Sequence, residues 1–545
     1  MAENQTDQTD IAIVGGGIAG IALALDLLER GEKRHITLLD AEGEQDFGGL
    51  ARSAFGGMML VDTPVQRRSG IRDSPEIALD DWLSFAEFDE ADHWPRRWAE
   101  YYVRQVTPKV HDWLVGMGLK FLPAVQWVER GLYTPGNSLP RYHILLGTAQ
   151  YMTEVLIRRL KVAAKGGHLS LRFNHRVENF LTDGGEVIGV AGRNRARDQP
   201  FRLRAAITVL ATGGIGGNIR KVKDNWPRDW GSPPEVILNG CHPSADGHMH
   251  DQVQAVGGRV THLDRMWNYA AGVAHPSAKF DGHGLSLVPT RSSLWLDHQG
   301  RRIGPQPLVT GFDTSFLCRQ VAAQKKPWSW HVMNWKITRR ELAISGAEHN
   351  PDLRDRKFIR MALRLLLADD GLTRRMTETS RDFITGGNLP ELARKMNELT
   401  GAPHVAAATL EQTVTSYDDR LSRGPKYHND DQTRRLNQLR QWTGDRIRTC
   451  KHQRILDPKA GPLLAIRTHL ISRKTLGGMQ TNLDCQVMAT DGAPMASLYA
   501  IGEAAGFGGG GASGKRSLEG TFLSGCILTA RRAAEVIRAD VAHHP

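Results

Sequence analysis

An α/β fold built on a parallel sheet, carrying an inserted second lobe, is what this sequence predicts. Three observations predict it. Ile11-Ala12-Ile13-Val14 is a short apolar run that passes directly into glycines, and His35-Ile36-Thr37-Leu38-Leu39 is a second run ending in an acidic residue. Two further runs, at 207–210 and 498–501, also end in small residues. Buried parallel strands read as continuous hydrophobic runs closed by turn residues rather than as alternating ones.

Gly15, Gly17 and Gly20 form G-x-G-x-x-G immediately after the first run. The stretch 18–30 then carries Ile21, Leu25 and Leu28 at helical spacing, and Gly31 closes it. Each glycine answers a separate demand: Gly15 a tight turn, Gly17 close approach of the backbone to a pyrophosphate, Gly20 helix–strand packing. The helix N-terminus at Ile18 and Ala19 offers unpaired N–H groups to phosphate. Asp40, about 20 residues beyond Gly20 and followed by Ala41, is placed to accept hydrogen bonds from a ribose diol. Strand, helix, second strand and acidic end together predict a Rossmann-type dinucleotide site at the start of the chain.

The fingerprint alone does not separate NAD from FAD, and three more segments decide it. Gly48-Gly49-Leu50-Ala51-Arg52-Ser53-Ala54-Phe55-Gly56-Gly57 is a second glycine-rich loop. The run at 207–210 enters the turn Ala211-Thr212-Gly213-Gly214, and the run at 498–501 ends in Gly502-Glu503 ahead of a glycine-rich loop and a last helix. These segments resemble the fumarate reductase and 3-ketosteroid dehydrogenase superfamily of flavoproteins over nearly the whole chain. The resemblance extends to Ala245-Asp246-Gly247, and in Asn137-Ser138-Leu139-Pro140-Arg141-Tyr142-His143, Asp264-Arg265-Met266-Trp267 and Leu518-Glu519-Gly520-Thr521-Phe522 it reaches a bacterial subgroup known as FAD-binding dehydrogenases.

The resemblance implies a glutathione-reductase-like FAD domain that is discontinuous, residues 1–260 and 471–545, with an α+β substrate-capping domain at 261–470. It implies flavin contacts at Gly48, Gly49, Leu50, Ser53, Gly56, Gly57, Ala211, Thr212, Gly213, Asp246, Gly502, Glu503, Gly520, Thr521 and Phe522. Val177, in a hairpin around Asp183-Gly184-Gly185, is an expected adenine contact. Relatives with covalent flavin carry a histidine in the loop corresponding to 52–57. This chain has none there, so noncovalent FAD is expected.

The resemblance also implies an oxidoreductase acting on a CH–CH group next to a carbonyl, ketosteroid-dehydrogenase-like. A fumarate-reductase-like enoate reductase and an electron-transfer flavoprotein subunit are the alternatives. Where fumarate reductases have H-H-T-M-G-G this chain has Arg473-Lys474-Thr475-Leu476-Gly477-Gly478, and the ketosteroid dehydrogenases' C-terminal tyrosine segment is here Gly506-Phe507-Gly508-Gly509. Neither catalytic set transfers intact. The candidates are Tyr142 as general acid, Arg141 as a carboxylate or enolate binder, and Lys474 and Arg516 as countercharges.

Composition narrows the class further. The net charge of +11 comes from basic residues interspersed with acidic ones, without the aromatic interleaving of a nucleic-acid groove. Five scattered cysteines form no C-x-x-C pair, and the polar start has no secretory pattern, so a cytoplasmic location and reduced thiols are expected. No window reads as a membrane span. The partners expected are a small-molecule substrate and an electron acceptor of unknown identity. His242, His248 and His250 lack the ligand pattern of a metal site, so no metal is expected. Trp328, Trp330 and Trp335 are read as core or as the lining of an apolar pocket.

Overall fold

The structure, a computed structural model, describes residues 6–304, 306–367 and 369–541. Asp7–Val14 lies inside an eight-stranded sheet with Ile36–Leu39 on one side and Gln199–Leu210 on the other, both parallel to it. Val14 is level with Leu39 and with Leu210, so the three strands end together. Leu169–Arg172 and Pro494–Ala500 extend the parallel run at either edge, and Gln486–Met488 closes the second edge antiparallel. The expected hairpin forms from His175–Asp183 and Glu186–Asn194, turning through Gly184 and Gly185 at positive φ.

The carboxyl ends of these strands release Gly15, Asp40, Ala211 and Ile501 along one edge of the sheet, the edge at which open parallel sheets bind ligands. Ile18–Glu29, which connects the first two strands, is buried from Ile18 to Leu27. Its apolar residues run all round because it packs between Thr148–Ala163 and Thr521–Val541.

A second sheet forms the other lobe. In order it runs Leu294–Leu296, Ser329–Asn334, Leu463–Thr475, Met266–Ala274, Gly284–Val288 and Ala343–Ile344. Leu463–Thr475 is its spine, pairing also with Phe383–Gly386 and with Ile237–Asn239. Helical period at 356–367, 389–399 and 409–421 becomes Phe358–Leu367, Leu389–Thr400 and Ala407–Ser422. The middle helix is capped by the Asn388 side chain, which accepts from Glu391 N–H, and closed by Gly401 in the left-handed region. Trp330 is wholly buried in this lobe's core with Trp328 and Trp335 packed against it, so the tryptophan patch is core.

Sheet pairing differs from the expected boundaries of 260 and 471. Ile237–Asn239 belongs to the second sheet although it precedes 260, and Leu463–Thr475 crosses 471 without a break. The strand stays in the second sheet through Thr475, so no turn falls at 471 for a boundary to be read from. Among the described residues no helix is long and apolar enough to cross a membrane.

Candidate active site

One long cavity runs along the carboxyl edge of the first sheet and reaches the end of the second. The G-x-G-x-x-G glycines separate into two structural roles. A Cβ on Gly15, at φ +111°, would stand 2.4 Å from the Ala211 carbonyl oxygen, and one on Gly20 would stand 2.0 Å from that of Gly15. These two positions are closed by backbone. At Gly17 a Cβ would meet nothing within 4 Å, so the chain there faces open cavity at the first turn of Ile18–Glu29.

The second glycine loop is stitched to the first, since Gly48 N–H donates to the Gly16 carbonyl at 2.9 Å. Gly49, Leu50, Gly56 and Gly57 line the cavity together with Gly15, Gly17, Ile18, Ala19, Ala41, Val177, Ala211, Thr212, Gly213, Asp246 and Phe522. Asp40 lines it too, its carboxylate accepting from Glu42 N–H at 2.9 Å, and burial holds that carboxyl above its ordinary value. Glu503 is a second buried carboxyl, raised by burial and anchored by Thr475 N–H at 2.9 Å.

Several residues expected to touch a flavin stand behind the wall. Gly20 and Gly48 are packing positions, a Cβ on Gly48 meeting Thr153 at 2.4 Å. The Ser53 hydroxyl donates to the Leu50 carbonyl at 3.1 Å, and a Cβ on Gly502 would meet Ala19 at 2.9 Å. Gly520 accepts from Met59 N–H at 2.8 Å and Thr521 bonds Ser517. None of these six residues is among those that line the cavity; Ser53 is exposed and the other five are buried beside it.

The far end of the cavity is made of side chains. Tyr142, Tyr269, Arg473, Lys474, Phe507, Glu519 and Phe522 meet there, with Ser345 from the second lobe. Lys474, next to last in the spine strand, lies opposite Trp267, its ammonium 4.8 Å from the Phe522 ring centroid and 5.6 Å from that of Tyr269. Burial, and then the neighbouring Arg473, bring Lys474 down to about 8. Glu519 accepts from Trp267 Nε1 at 2.7 Å and from the Tyr269 hydroxyl at 3.0 Å. Burial and the Glu519 carboxylate push Tyr142 and Tyr269 above the ordinary phenol range.

Two of the expected catalytic residues, Arg141 and Arg516, lie off the cavity lining. Tyr142–Ile144 is a short strand, and strand side chains alternate between faces. Tyr142 therefore enters the cavity while Arg141 and His143 turn away from it. Arg141 is fully buried, forked onto Asp73 at 2.9 and 2.8 Å and bonded also to Asp81 and Asn137. His143 bonds Thr63, and burial lowers it to about 4. Arg516 also lies off the cavity lining, paired with Glu87 at 3.2 Å and Asp313 at 3.6 Å. Tyr269 and Glu519, absent from the expected set, had a signal: each lies in or beside a segment quoted for the family resemblance, and Tyr269 shares a strand face with Trp267.

The histidines at 242–250 do not converge, since His248 bonds the Glu178 carbonyl and His250 that of Ala504. Among the described residues one His/Glu group is compact enough for an ion, His275, Glu348 and His349. His275 Nδ1 accepts from Ser277 N–H, which leaves the proton on the Nε2 that faces Glu348. A metal-bound histidine donates from its second nitrogen instead, so the group is a hydrogen-bonded cluster.

The cavity suits an adenine dinucleotide flavin. Backbone N–H groups and an open glycine lie where phosphate needs donors and room, and two buried carboxyls lie where hydroxyl groups need acceptors. The profile of the family described as FAD binding domain matches residues 10–523. A KsdD-like steroid dehydrogenase of Mycobacterium tuberculosis (strain CDC 1551 / Oshkosh) is 40% identical over 98% of this chain and 96% of that protein. One from Mycolicibacterium smegmatis (strain ATCC 700084 / mc(2)155) is 38% identical over 98% and 99%. Among solved structures, the 3-ketosteroid Δ1-dehydrogenase of Sterolibacterium denitrificans in complex with 1,4-androstadiene-3,17-dione superposes with a TM-score of 0.70 at 16% identity, covering 98% of this chain and all of that one. The open conformation of a flavocytochrome c3 fumarate reductase gives 0.67 at 19%, covering 97% of this chain and 78% of the other. These two likenesses speak to fold.

Proposed function

The chain belongs to the FAD binding domain family as an FAD-dependent dehydrogenase, and from that premise we propose that it removes two hydrogens from adjacent carbons beside the carbonyl of an apolar, 3-ketosteroid-like ketone. FAD is held noncovalently. The observation that carries the reading is the meeting of two tyrosines, one ammonium and two phenylalanines at one end of the cavity. The steroid dehydrogenase name of the relatives supports the substrate class.

Gly17, Asp40 and Glu503 would hold the pyrophosphate, ribose and ribityl parts, and Val177 the adenine, with Gly49, Gly56 and Gly57 forming the loop beside them. When bound, FAD supplies the two-electron oxidant that takes up a hydride. Tyr142 donates a hydrogen bond to the ketone oxygen, and Lys474 offsets the charge that grows there as the α-proton leaves. Phe507 and Phe522 exclude water and favour an apolar ring system. Turnover needs an electron acceptor outside the chain. Dicarboxylate reduction is disfavoured, because Arg516 is engaged by Glu87 and Asp313 and Arg473-Lys474 stands where fumarate reductases have two histidines.

Anaerobic mixing of the yellow protein with 3-ketosteroids, enoates and dicarboxylates tests the proposal. Ketosteroids are expected to bleach the flavin. Recovery of reduced flavin by fumarate, with no ketone bleaching it, would reverse the assignment. Flavin that stays with the polypeptide after acid precipitation would sink noncovalent binding.

A further inference from the structure

Glu519 has no part in the scheme above. It stands at the end of the cavity away from Asp40, and its two oxygens receive Trp267 Nε1–H at 2.7 Å and the Tyr269 hydroxyl at 3.0 Å. Trp267 and Tyr269 share one face of Met266–Ala274, two residues apart, so the strand presents both donors to the same carboxylate. Trp267 is almost wholly buried and fixes the carboxylate's position, while Tyr269 and Glu519 both face the cavity. The Tyr142 hydroxyl has no hydrogen-bond partner among the described residues.

We propose that Tyr269 and Glu519 form a proton relay, in which the Tyr269 oxygen takes the α-proton of a bound ketone as its own proton passes to the Glu519 carboxylate. The proposal rests on the ketone reading of the site. One C–H bond breaks and one O–H bond forms on Tyr269; the former Tyr269 O–H bond breaks and one forms on Glu519. The electron pair of the C–H bond stays with the substrate as an enolate, offset by Lys474, and no oxidant is consumed in this step. Geometry gives Tyr269 a receiver for its proton within hydrogen-bond distance, which Tyr142 lacks. Electrostatics agree, since burial and the Glu519 charge make a free Tyr269 phenolate inaccessible, so tyrosine acts as a base only if it hands on its proton in the same movement.

Deuterium exchange reads the step beyond the single oxidation that bound flavin allows when no external acceptor is present. The FAD-loaded protein is incubated anaerobically in D2O with a saturated 3-ketosteroid, and label at the α-carbon is measured by mass spectrometry. Wild type is expected to exchange. Glu519→Gln, which keeps an acceptor for both donors but not the basicity, is expected to lose exchange by at least about 100-fold. Its flavin content and its affinity for the ketone, read from the flavin spectrum, should stay within about twofold of wild type, a change of under 1 kcal/mol. Tyr269→Phe, which removes one oxygen, should behave alike and guards against misfolding of the first variant. Wild-type exchange that survives in both variants overturns the relay, as does a flavin perturbed by ketone with no label incorporated. If no ketone perturbs the flavin, the substrate reading falls, and a pH titration of the loaded protein alone decides the relay. A proton-dependent step in the flavin spectrum that Glu519→Gln removes upholds it, and a missing or unchanged step rejects it.

Discussion

The two ends of the cavity are built from different materials. Around Asp40 the wall is mostly backbone, supplied by short loops that leave adjacent parallel strands, and the chain needs little more than glycine at the right turn. Around Lys474 the wall is side chains, brought together from Tyr142, Tyr269, Arg473 to Lys474, Phe507 and Glu519 to Phe522. The Tyr269–Glu519 bond alone joins residues 250 positions apart. One end is a local solution to holding phosphates and sugars. The other exists only after two sheets have docked, and it is where relatives of similar fold differ in chemistry.

That contrast can be broken by substitution. The largest effect is expected at Arg141, beside the reactive end yet outside it. Arg141→Ala leaves Asp73 and Asp81 buried without their cation and should cost about 3–5 kcal/mol of stability in chemical denaturation. Flavin chemistry per folded molecule should be unchanged, and turnover lost without loss of stability would return Arg141 to the site. Gly17→Val should next weaken FAD binding by more than about 100-fold, roughly 2.7 kcal/mol, because its side chain fills open cavity. Its thermal unfolding as apoprotein should match wild type, whereas Gly20→Val, meeting backbone at 2.0 Å, should fail to fold.

At the other end, Lys474→Met should lower kcat about 100-fold while flavin content holds, as for removal of one charge-stabilising donor. Asp40→Asn is milder, about tenfold in FAD dissociation constant, or 1.4 kcal/mol. The smallest effect is a slope. Lys474 titrates near 8 in the fold and at 10.5 when unfolded, so between those values the unfolded chain binds more protons and apoprotein stability rises with pH. Lys474→Met should flatten that rise in denaturation curves taken across the same window.

The same division explains what could be read in advance. Gly15, Gly17 and Asp40, which line the cavity, lie with the packing glycine Gly20 within one strand–helix–strand unit, so their spacing is legible in the sequence. Lys474 was reached through a segment that stands in for a family motif, and Tyr142 through its loop. The side that Arg141 takes, just before the strand Tyr142–Ile144, is not legible, because neighbouring residues of an extended segment point to opposite faces and nothing in Pro140-Arg141-Tyr142-His143 tells which face is the cavity. Glu519 and Tyr269 lie in or beside legible segments, but their pairing is not legible, since each becomes chemically distinctive only beside the other. The end of the second lobe is not legible at 471 because Leu463–Thr475 runs through it in the second sheet without a turn.

That continuous strand has a mechanical meaning. Its first residues are paired in the interior of the second lobe with Ser329–Asn334 and Phe383–Gly386, and its last residues, still paired with Met266 and Trp267 of the same sheet, carry Lys474 to the cavity. The position of that charge is therefore set by the same strand that the hydrophobic core of the second lobe holds.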